Sequence, residues 1–455
     1  MLVDDLTIAV RDRAREPELP AATIEHALHA ALPERFARYA LVMLPPKTPE
    51  SATTARALAV EFARHEHPVF WLEPEGEAGP AKLTGSHPPL LKAIPAPAGC
   101  VSDAALLTAA LADLRASHGV DAAAIHRPDD GYDAVATTAR LAWGWRSVLD
   151  VDASSSRGEA ADVRIAMRPV PESAPADLSL GELPSWPARW SALDRAIRET
   201  WPRASVIVVT YDNLAYNRLC LASLLANTEH PNTELIFVDN GSTDGSVEFL
   251  AEAAVRYPNV RLVRNSENRG FGPANNQGIA AASGDTLVLL NNDTIVTPGW
   301  LSRLTHHLED EAIGLIGPAT NRTCNEAQVE LAYQTYGEMT AIARQLANRY
   351  AGDRRSIRML AMFCTAFRRD LVDTIGNLDE RYELGMFEDE DYALRAKAAG
   401  YDIVWTPEVY IHHAYHASIG KLLPTGQYLS TFRANQQRFE AKWGICWERH
   451  RPPAG

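Results

Sequence analysis

The feature that most constrains the fold is an order repeated three times between residues 203 and 293. Each time, an apolar strand-like run is followed at once by a cluster of polar side chains. The three predicted strands cover residues 205–209, 234–239 and 285–290, with helix-like segments between them. This alternation is typical of an α/β domain with a parallel sheet, where ligands bind at the carboxyl ends of the strands. The pattern therefore predicts a binding site at one edge of the sheet.

Asp239 is the charged residue at the end of the second predicted strand, and Asn240 and Gly241 follow it. A carboxylate there can accept the N–H of a pyrimidine base, and the glycine permits a tight turn that lets the backbone approach a ligand. An ordinary strand-to-helix turn with an aspartate cap explains the same residues. This motif alone leaves both interpretations open.

Asn291, Asn292 and Asp293 follow the third predicted strand. Hard divalent cations prefer oxygen ligands, and Asp293 carries the only full carboxylate of the three. We therefore expect Asp293 to bind a metal ion directly, and Asn291 or Asn292 to contact a ribose or a metal-bound water. The alternative is a polar strand end without a ligand.

Arg269 lies in a glycine-containing loop before the predicted helix 271–282. An arginine beside a helix N-terminus can hold a diphosphate, because the guanidinium and the free backbone N–H groups both attract anions. Taken alone, a solvated arginine in a loop is the more frequent explanation.

Four consecutive acidic residues, 388–391, open a predicted helix that ends near Gly400. The helix dipole favours acids in the first turn, but four mutually repelling carboxylates exceed what a dipole needs. Each helical residue turns by about 100°, so Asp389 and Asp391 point about 200° apart. We expect Asp391 to pair with Arg395, four residues on, and Asp389 to face a pocket with a raised pKa suited to a general base.

Three histidines, His412, His413 and His416, follow a strand-like run near the end of the chain. Imidazole nitrogen is a ligand for Mn²⁺, so these residues are candidates to share a metal ion with Asp293. Each is also explained as a surface or core histidine whose hydrogen bonds are satisfied.

Six motifs occur in one order between residues 210 and 418. They are TYDN, FVDNGSTDGS, NRGFGPANNQG, LLNNDTIV, GNLDERYELGMFEDEDYALRAKAAGY and IHHAYHAS. The series resembles the large family 2 glycosyltransferases with the GT-A fold, in particular bacterial enzymes similar to rhamnosyltransferases of surface polysaccharides. The resemblance covers about residues 205–419.

By position, the resemblance implies a set of ligand-binding residues. Thr210, Tyr211 and Asp239 would hold the nucleotide base and ribose. Arg269 and Asn275 would lie near the nucleotide and its diphosphate.

The resemblance also implies the residues that carry the chemistry. Asp293 would be the last acid of the DxD-type metal motif, and Asp389 the general base of the ED motif. His413 would be the metal-binding histidine, preferred over His412 for its spacing to Ser418. Asn291 departs from the family by replacing the first acid of the DxD motif, which lowers the negative charge on the metal.

The amino-terminal region also alternates strand-like and helix-like runs, which predicts a smaller Rossmann-like α/β domain before the GT-A domain. Residues 125–130 and 149–152 resemble pieces of one half of a GT-B glycosyltransferase, so we expect a degenerate half domain that binds a partner or acceptor. The expected boundaries are 1–152 for this domain, 153–200 for a proline-rich linker, 201–425 for the GT-A domain, and 426–455 for a C-terminal helix and tail.

Composition narrows the partners and the compartment. The net charge of −14 speaks against nucleic-acid binding, which needs clustered Lys and Arg. The five scattered cysteines indicate a reducing compartment, so we expect a cytoplasmic protein. The sequence contains no run of about 18 apolar residues, so we expect no membrane span. A lipid-linked acceptor would then be met by peripheral contact at the inner face of the plasma membrane.

The sequence thus predicts an inverting glycosyltransferase that uses Mn²⁺ or Mg²⁺. Its donor would be a dTDP- or UDP-linked sugar, with rhamnose and a hexose as the leading candidates. Its acceptor would be a hydroxyl of a glycan or a lipid-linked glycan. A non-catalytic nucleotide- or glycan-binding scaffold is the alternative, and the oligomeric state is left open.

Overall fold

The computed structural model of the protein describes residues 38–46, 49–75, 88–100, 102–127, 132–150, 161–166, 177–179, 186–323, 325–414 and 427–448. The chain divides into two compact units. The amino-terminal unit holds Ala37–Trp201 with Glu229–Asn232, and the carboxyl-terminal unit holds Pro202–Thr228 and the chain from Thr233 onward. No helix among the described residues is both long enough and apolar enough to cross a bilayer.

A seven-stranded parallel sheet forms the centre of the amino-terminal unit. Its strands are β1 (Ala40–Met43), β2 (Val69–Pro74), β3 (Leu91–Ala96), β4 (Ala123–Arg127), β5 (Arg146–Asp150), β6 (Val163–Ala166) and β7 (Leu178–Ser179). Its helices are α1 (Pro49–Arg64), α2 (Ala104–His118), α3 (Asp133–Trp143) and α4 (Trp186–Glu199). The strand order is β3-β2-β1-β4-β5-β6-β7, and every pair is parallel. This doubly wound order confirms the predicted Rossmann-like α/β arrangement.

The structure differs from the predicted linker over residues 153–200. Strand β6 pairs with β5, β7 pairs with β6, and α4 packs Leu193 and Ile197 into the core of the same unit. The prolines of this stretch suggested a linker, but the first turn of a helix tolerates proline. Pro187 illustrates this, since it lies in the first turn of α4.

The carboxyl-terminal unit is built on a mixed eight-stranded sheet and a small two-stranded sheet. The strands are β8 (Ala204–Thr210), β9 (Thr233–Asp239), β10 (Val260–Arg264), β11 (Thr286–Asn291), β12 (Thr294–Ile295), β13 (Ile313–Ala319), β14 (Arg355–Ser356), β15 (Cys364–Arg368), β16 (Asp402–Tyr410) and β17 (His412–His413). The large sheet has the order β10-β9-β8-β11-β15-β13-β16-β14. Its first four strands are parallel, and β15 is antiparallel to both of its neighbours.

Helices cover both faces of the large sheet. They are α5 (Leu214–Asn227), α6 (Ser246–Arg256), α7 (Phe271–Ala281), α8 (Trp300–His307), α9 (Tyr336–Arg349), α10 (Arg369–Ile375) and α11 (Glu388–Ala398), while α12 (Gln427–Trp443) packs on the segment before α11. Side chains alternate along a strand, so Ile207 of β8 packs with α7, α9 and α11 on one face. Val206 and Val208 pack with α6 and α8 on the other face.

The strand register brings the predicted polar clusters to one edge. Thr210 lies opposite Asp239, and Val209 lies opposite Asn291. The small sheet adds residues from far along the chain, because β12 pairs with β17 and sets Thr294 opposite His413.

Helix α7 approaches β8 so closely that a glycine is required between them. A Cβ on Gly278 would lie 2.2 Å from Cγ2 of Ile207. Gly272 of the same helix has more room, since the nearest atom to its Cβ would be 3.7 Å away.

We expect Gly278→Ala to lower the free energy of unfolding by about 1–3 kcal/mol through overpacking. The sign is informative, because alanine in a helix is otherwise about 1 kcal/mol better than glycine. Gly272→Ala is the matched control and should leave stability unchanged or raise it. Urea unfolding of both variants measures the difference, and a Gly278→Ala variant as stable as the parent would contradict the close approach.

Candidate active site

Asp239 is completely buried at the end of β9 and holds a turn together. Its Oδ1 accepts the backbone N–H groups of Gly241 (3.1 Å) and Ser242 (2.9 Å). Its Oδ2 accepts the hydroxyls of Ser242 (2.6 Å) and Thr210 (3.0 Å). These four bonds use the acceptor capacity of the carboxylate. A direct contact between Asp239 and a base would require this turn to rearrange, so the predicted contact stays a prediction.

The loop after β8 leaves Tyr211 accessible, with 40% of its surface exposed. Asp212 and Asn213 follow in the left-handed conformation, which Asp and Asn tolerate better than other non-glycine residues. The Asp212 carboxylate accepts the backbone N–H of Thr243 at 2.8 Å, which ties this loop to the turn after β9. The predicted nucleotide residues Thr210 and Tyr211 therefore flank a cross-linked pair of loops.

Asn240 links the turn after β9 to the loop that carries Arg269. Its Oδ1 accepts from the backbone N–H of Arg269 (3.2 Å) and from Asn265 (3.0 Å). Its Nδ2 donates to Asn268 Oδ1 (3.0 Å) and to the carbonyl of Gly270 (3.1 Å). The sequence interpretation missed this role, because an amide that cross-links two loops leaves no periodic signal.

The exposed side chain of Arg269 stands just before the N-terminus of α7. Gly270 is the N-cap residue of α7 and supplies no side-chain cap. Backbone N–H groups at such a helix end attract anions. The structure thus places a cation and a helix N-terminus together, as a diphosphate site needs.

The two asparagines of α7 have internal partners. Asn275 is buried and donates to the carbonyl of Phe271 at 3.0 Å, within its own helix. Asn276 donates to the carbonyl of Leu378 and to Glu380, and so ties α7 to the segment before α11. A contact between Asn275 and a nucleotide remains a prediction.

Asn291 and Asn292 differ in their surroundings. Asn292 is buried and donates to Oδ1 of Asn217 at 2.6 Å, and Asn217 in turn donates to Ser246 at 2.7 Å. These two hydrogen bonds make Asn292 a structural support behind the site. The half-buried side chain of Asn291 has no hydrogen-bond partner among the described residues, so its amide is available to a ligand.

Asp293 and His413 meet at the sheet edge. The Nε2 atom of His413 lies 3.3 Å from Oδ1 of Asp293, and both side chains are buried. The imidazole stacks on Phe363 with ring centroids 4.8 Å apart. Two ligands of one octahedral ion lie about 3 Å apart, so this oxygen and nitrogen fit the donor set of Mn²⁺ or Mg²⁺. Within the described ranges no group of three or more His, Cys, Asp or Glu side chains gathers, so further metal ligands would come from substrate or water.

His412 faces the opposite way and has a different partner. Its Nδ1 lies 2.6 Å from the hydroxyl of Tyr333, which in turn lies 2.6 Å from that of Tyr410. Burial, followed by the neighbouring His413, lowers the pKa of His412 to about 4, so this imidazole is neutral near pH 7. Of the two histidines left open by the sequence, His413 is the one that faces Asp293. His416 lies outside the described residues.

Asp389 is the second residue of α11 and remains partly exposed between two buried glutamates. Its Oδ1 accepts the backbone N–H of Glu390 at 2.8 Å. Burial, followed by the negative charge of Glu390, raises the pKa of Asp389 above the usual aspartate range. Burial and the charge on Asp389 likewise raise the pKa of Glu388. The raised pKa expected for Asp389 is confirmed, whereas its role as a base is not tested.

Asp391 points away from Asp389 and is completely buried. Its Oδ2 lies 2.9 Å from Nε of Arg395, which confirms the predicted pair. Its Oδ1 accepts from Lys442 (2.6 Å) and Trp443 (2.9 Å) of α12. The two acids therefore serve different neighbours, as the helical spacing indicated.

The loop before α7 and the loop before α11 are in contact. A Cβ on Gly270 would lie 3.3 Å from the backbone nitrogen of Leu384, and Gly270 has φ +91°. Glycine tolerates both the positive φ and the close contact, because it has no Cβ. This contact places the Arg269 loop directly against the segment that leads to Asp389.

Residues 205–376 match the family described as "Glycosyl transferase family 2". That stretch contains β8 to β11 with their polar edge, and it ends before α11. Three relatives extend the comparison beyond it.

The relatives differ in how much of the chain they cover. "Uncharacterized protein y4gI" of Sinorhizobium fredii is 26% identical over 67% of this chain and 34% of that protein. The O-antigen biosynthesis protein RfbC of Myxococcus xanthus is 29% identical over 51% of this chain and 19% of that protein. An N-acetylglucosaminyl-diphospho-decaprenol L-rhamnosyltransferase of Mycobacterium tuberculosis is 29% identical over 47% of this chain and 76% of that protein.

The chain spans only about a third of the length of y4gI and a fifth of that of RfbC. A solved mannosyltransferase of Pyrobaculum calidifontis, in complex with GDP-Man and Mn²⁺, is 20% identical, with 52% of this chain and 65% of that chain covered and a TM-score of 0.39. The family match and the named relatives point the same way: through residues 205–376, this chain is similar to glycosyl transferase family 2.

Proposed function

We propose that the protein is an inverting glycosyltransferase that moves a sugar from a nucleotide-diphosphate donor to an acceptor hydroxyl. One arrangement carries the proposal. Asp293 and His413 meet at the edge of the sheet, 3.3 Å apart, while Asp389 with its raised pKa stands on a separate helix. A metal-ligand pair and a separate base candidate are the two elements that single displacement of a diphosphate requires.

The donor would lie across the carboxyl ends of β8, β9 and β11. The exposed Tyr211 and the available amide of Asn291 would contact the base and ribose, and Thr210 and Asp239 would shape the turn beneath them. The diphosphate would point toward Arg269 and the uncapped N-terminus of α7.

A divalent cation held by Asp293 and His413 would supply positive charge next to the departing diphosphate. The protein itself orients this pair. Phe363 stacks on His413, and the β12–β17 pairing fixes the backbone on both sides.

Asp389 would act as the general base. One oxygen, Oδ1, is held by the N–H of Glu390, so Oδ2 is the atom that would accept the proton of the acceptor hydroxyl. The hydroxyl oxygen would then attack the anomeric carbon from the side opposite the diphosphate, which inverts that centre. The raised pKa suits proton transfer near neutral pH.

The donor and acceptor classes are also part of the proposal. The Mycobacterium tuberculosis relative is named as a rhamnosyltransferase that acts on a diphospho-decaprenol, and the Myxococcus xanthus relative is named for O-antigen biosynthesis. These names favour rhamnose as the sugar and a lipid-linked glycan acceptor in surface polysaccharide synthesis. A dTDP- or UDP-linked sugar is the donor that we propose. Such a reaction would take place on the cytoplasmic face of the membrane.

Nucleoside diphosphates should raise the melting temperature in a metal-dependent way. A ligand at about 100 times its dissociation constant adds about 2.7 kcal/mol of stability. We expect one pyrimidine diphosphate with Mn²⁺ to give this shift and Asp293→Ala to weaken it. Asp373→Ala, at an exposed carboxylate on α10, is the control that should keep the full shift. If no nucleoside diphosphate raises the melting temperature, a non-catalytic scaffold is favoured instead.

Asp389→Asn should lower turnover by about 10²–10⁴-fold, because it removes the base while preserving size. The variant should still bind the diphosphate, and it should be at least as stable, since a neutral amide replaces a carboxylate whose burial raises its pKa. Diphosphate release measures turnover, and Asp373→Asn is the matched control. Near-normal turnover by a folded Asp389→Asn protein would refute the mechanism.

The rate of transfer should rise with pH on the acidic side. Asp389 works only when ionised, and its pKa is raised, so the rise should be centred well above the ordinary aspartate value of about 3.9. Glu390→Gln removes the neighbouring negative charge that raises the pKa of Asp389 and should move the rise to lower pH. The pH dependence of kcat/KM for both proteins provides the test. A limb centred near pH 4 in the parent would exclude Asp389 as the titrating group.

A further inference from the structure

The segment that leads into α11 has an unusual backbone. Leu384, Met386 and Phe387 have φ values of +59°, +77° and +76°, and Gly385 between them has φ +122°. Non-glycine residues disfavour this region, so four in succession persist only when surrounding contacts hold them. Asp389 follows two residues later, so the direction of its carboxylate depends on this turn.

Asn435 of α12 supplies the holding contacts. Its side chain has no exposed surface. Its Nδ2 lies 2.8 Å from the carbonyl of Gly385, 3.1 Å from that of Glu383 and 3.2 Å from that of Met386. One amide group therefore binds three backbone carbonyls within the four residues 383–386.

Arg438, one helical turn on, fixes which way the Asn435 amide points. Its Nη1 donates to Oδ1 of Asn435 at 2.7 Å, and its Nη2 lies 2.7 Å from a carboxylate oxygen of Glu383. Since a guanidinium only donates, Oδ1 must face Arg438 and Nδ2 must face the carbonyls.

Other residues of α12, and residues after it, also contact the segment that leads into α11. Phe387 lies among Phe432, Phe439 and Trp447, with ring centroids 5.1–5.5 Å apart. The indole of Trp447 donates to Glu390 at 2.9 Å. All these contacts involve the neighbours of Asp389, and the Asp389 side chain itself stays partly exposed.

We propose that Asn435 is a positioning residue, which sets the direction of Asp389 through the 383–387 turn and does not touch substrate. The inference rests on the proposed function, since it assigns Asp389 the role of base. It also makes α12, which lies beyond the family match, part of the catalytic unit.

Asn435→Asp tests the inference, because it keeps the size and the Oδ1 contact with Arg438 but replaces the donor by an oxygen that repels three carbonyls. The matched control is Gln437→Glu, the same chemical change at an exposed position on α12. Displacement of a reactive group by about 1 Å costs about 100-fold in rate. We expect Asn435→Asp to lower kcat by about 10- to 100-fold, with unchanged diphosphate binding and faster hydrogen exchange at the amides of 383–389.

The double variant Asn435→Asp/Asp389→Asn separates positioning from a general structural defect. If Asn435 acts through Asp389, the double variant should be no slower than Asp389→Asn alone. Multiplied losses, or weakened diphosphate binding, would overturn the inference. Arg438→Met, which frees the amide to rotate, should show the same pattern more weakly and replaces Asn435→Asp if that protein does not fold.

Failure of this inference differs from failure of the proposed function. If the parent transfers sugar and Asp389→Asn does not, normal kcat in Asn435→Asp overturns the positioning role alone. If the parent transfers no sugar with any donor, the proposed function fails. Unchanged exchange at 383–389 in Asn435→Asp would then also remove the structural basis of the inference.

Discussion

The parallel register of β8, β9 and β11 is the constraint on which the candidate site depends. Backbone pairing sets Thr210 opposite Asp239 and Asn291 opposite Val209, so three loops begin at one edge. The carboxylate of Asp239 then holds one of these loops in place through its hydrogen bonds. The groups that remain accessible, such as Tyr211 and Asn291, owe their arrangement to this buried frame. In such a site the most buried polar residue shapes the surface that ligands meet.

Much of the fold follows from local patterns in the sequence. The predicted strand 205–209 and the predicted helix 271–282 match β8 and α7 closely, because a short β-branched run and a longer helical segment have distinct periods. The antiparallel insertion of β15 was not foreseen, since pairing between strands about 75 residues apart leaves no local signal. Strands β6 and β7 were not foreseen either, because they are only four and two residues long and lie in a proline-rich stretch.

The candidate site divides in a similar way. Charged residues at strand or helix ends, such as Asp293 and Asp389, could be singled out because acids at such positions need an explanation. The amides of Asn240, Asn217 and Asn435 could not, because they satisfy backbone and side-chain groups brought together only by folding. The C-terminal helix shows both outcomes. A helix after residue 426 was predicted, whereas its contact with the turn before Asp389 was not.

The adjacent histidines of β17 show what a two-residue strand can and cannot fix. Side chains alternate in a strand, so His413 faces Asp293 while His412 faces Tyr333. A slip of β17 by one residue against β12 would exchange the two faces. If the slip brings His412 opposite Thr294, an imidazole is still presented to Asp293, now from the neighbouring position. The adjacent histidines therefore tolerate one added residue in the preceding segment, but not one lost residue, which would bring Ala414 to that place.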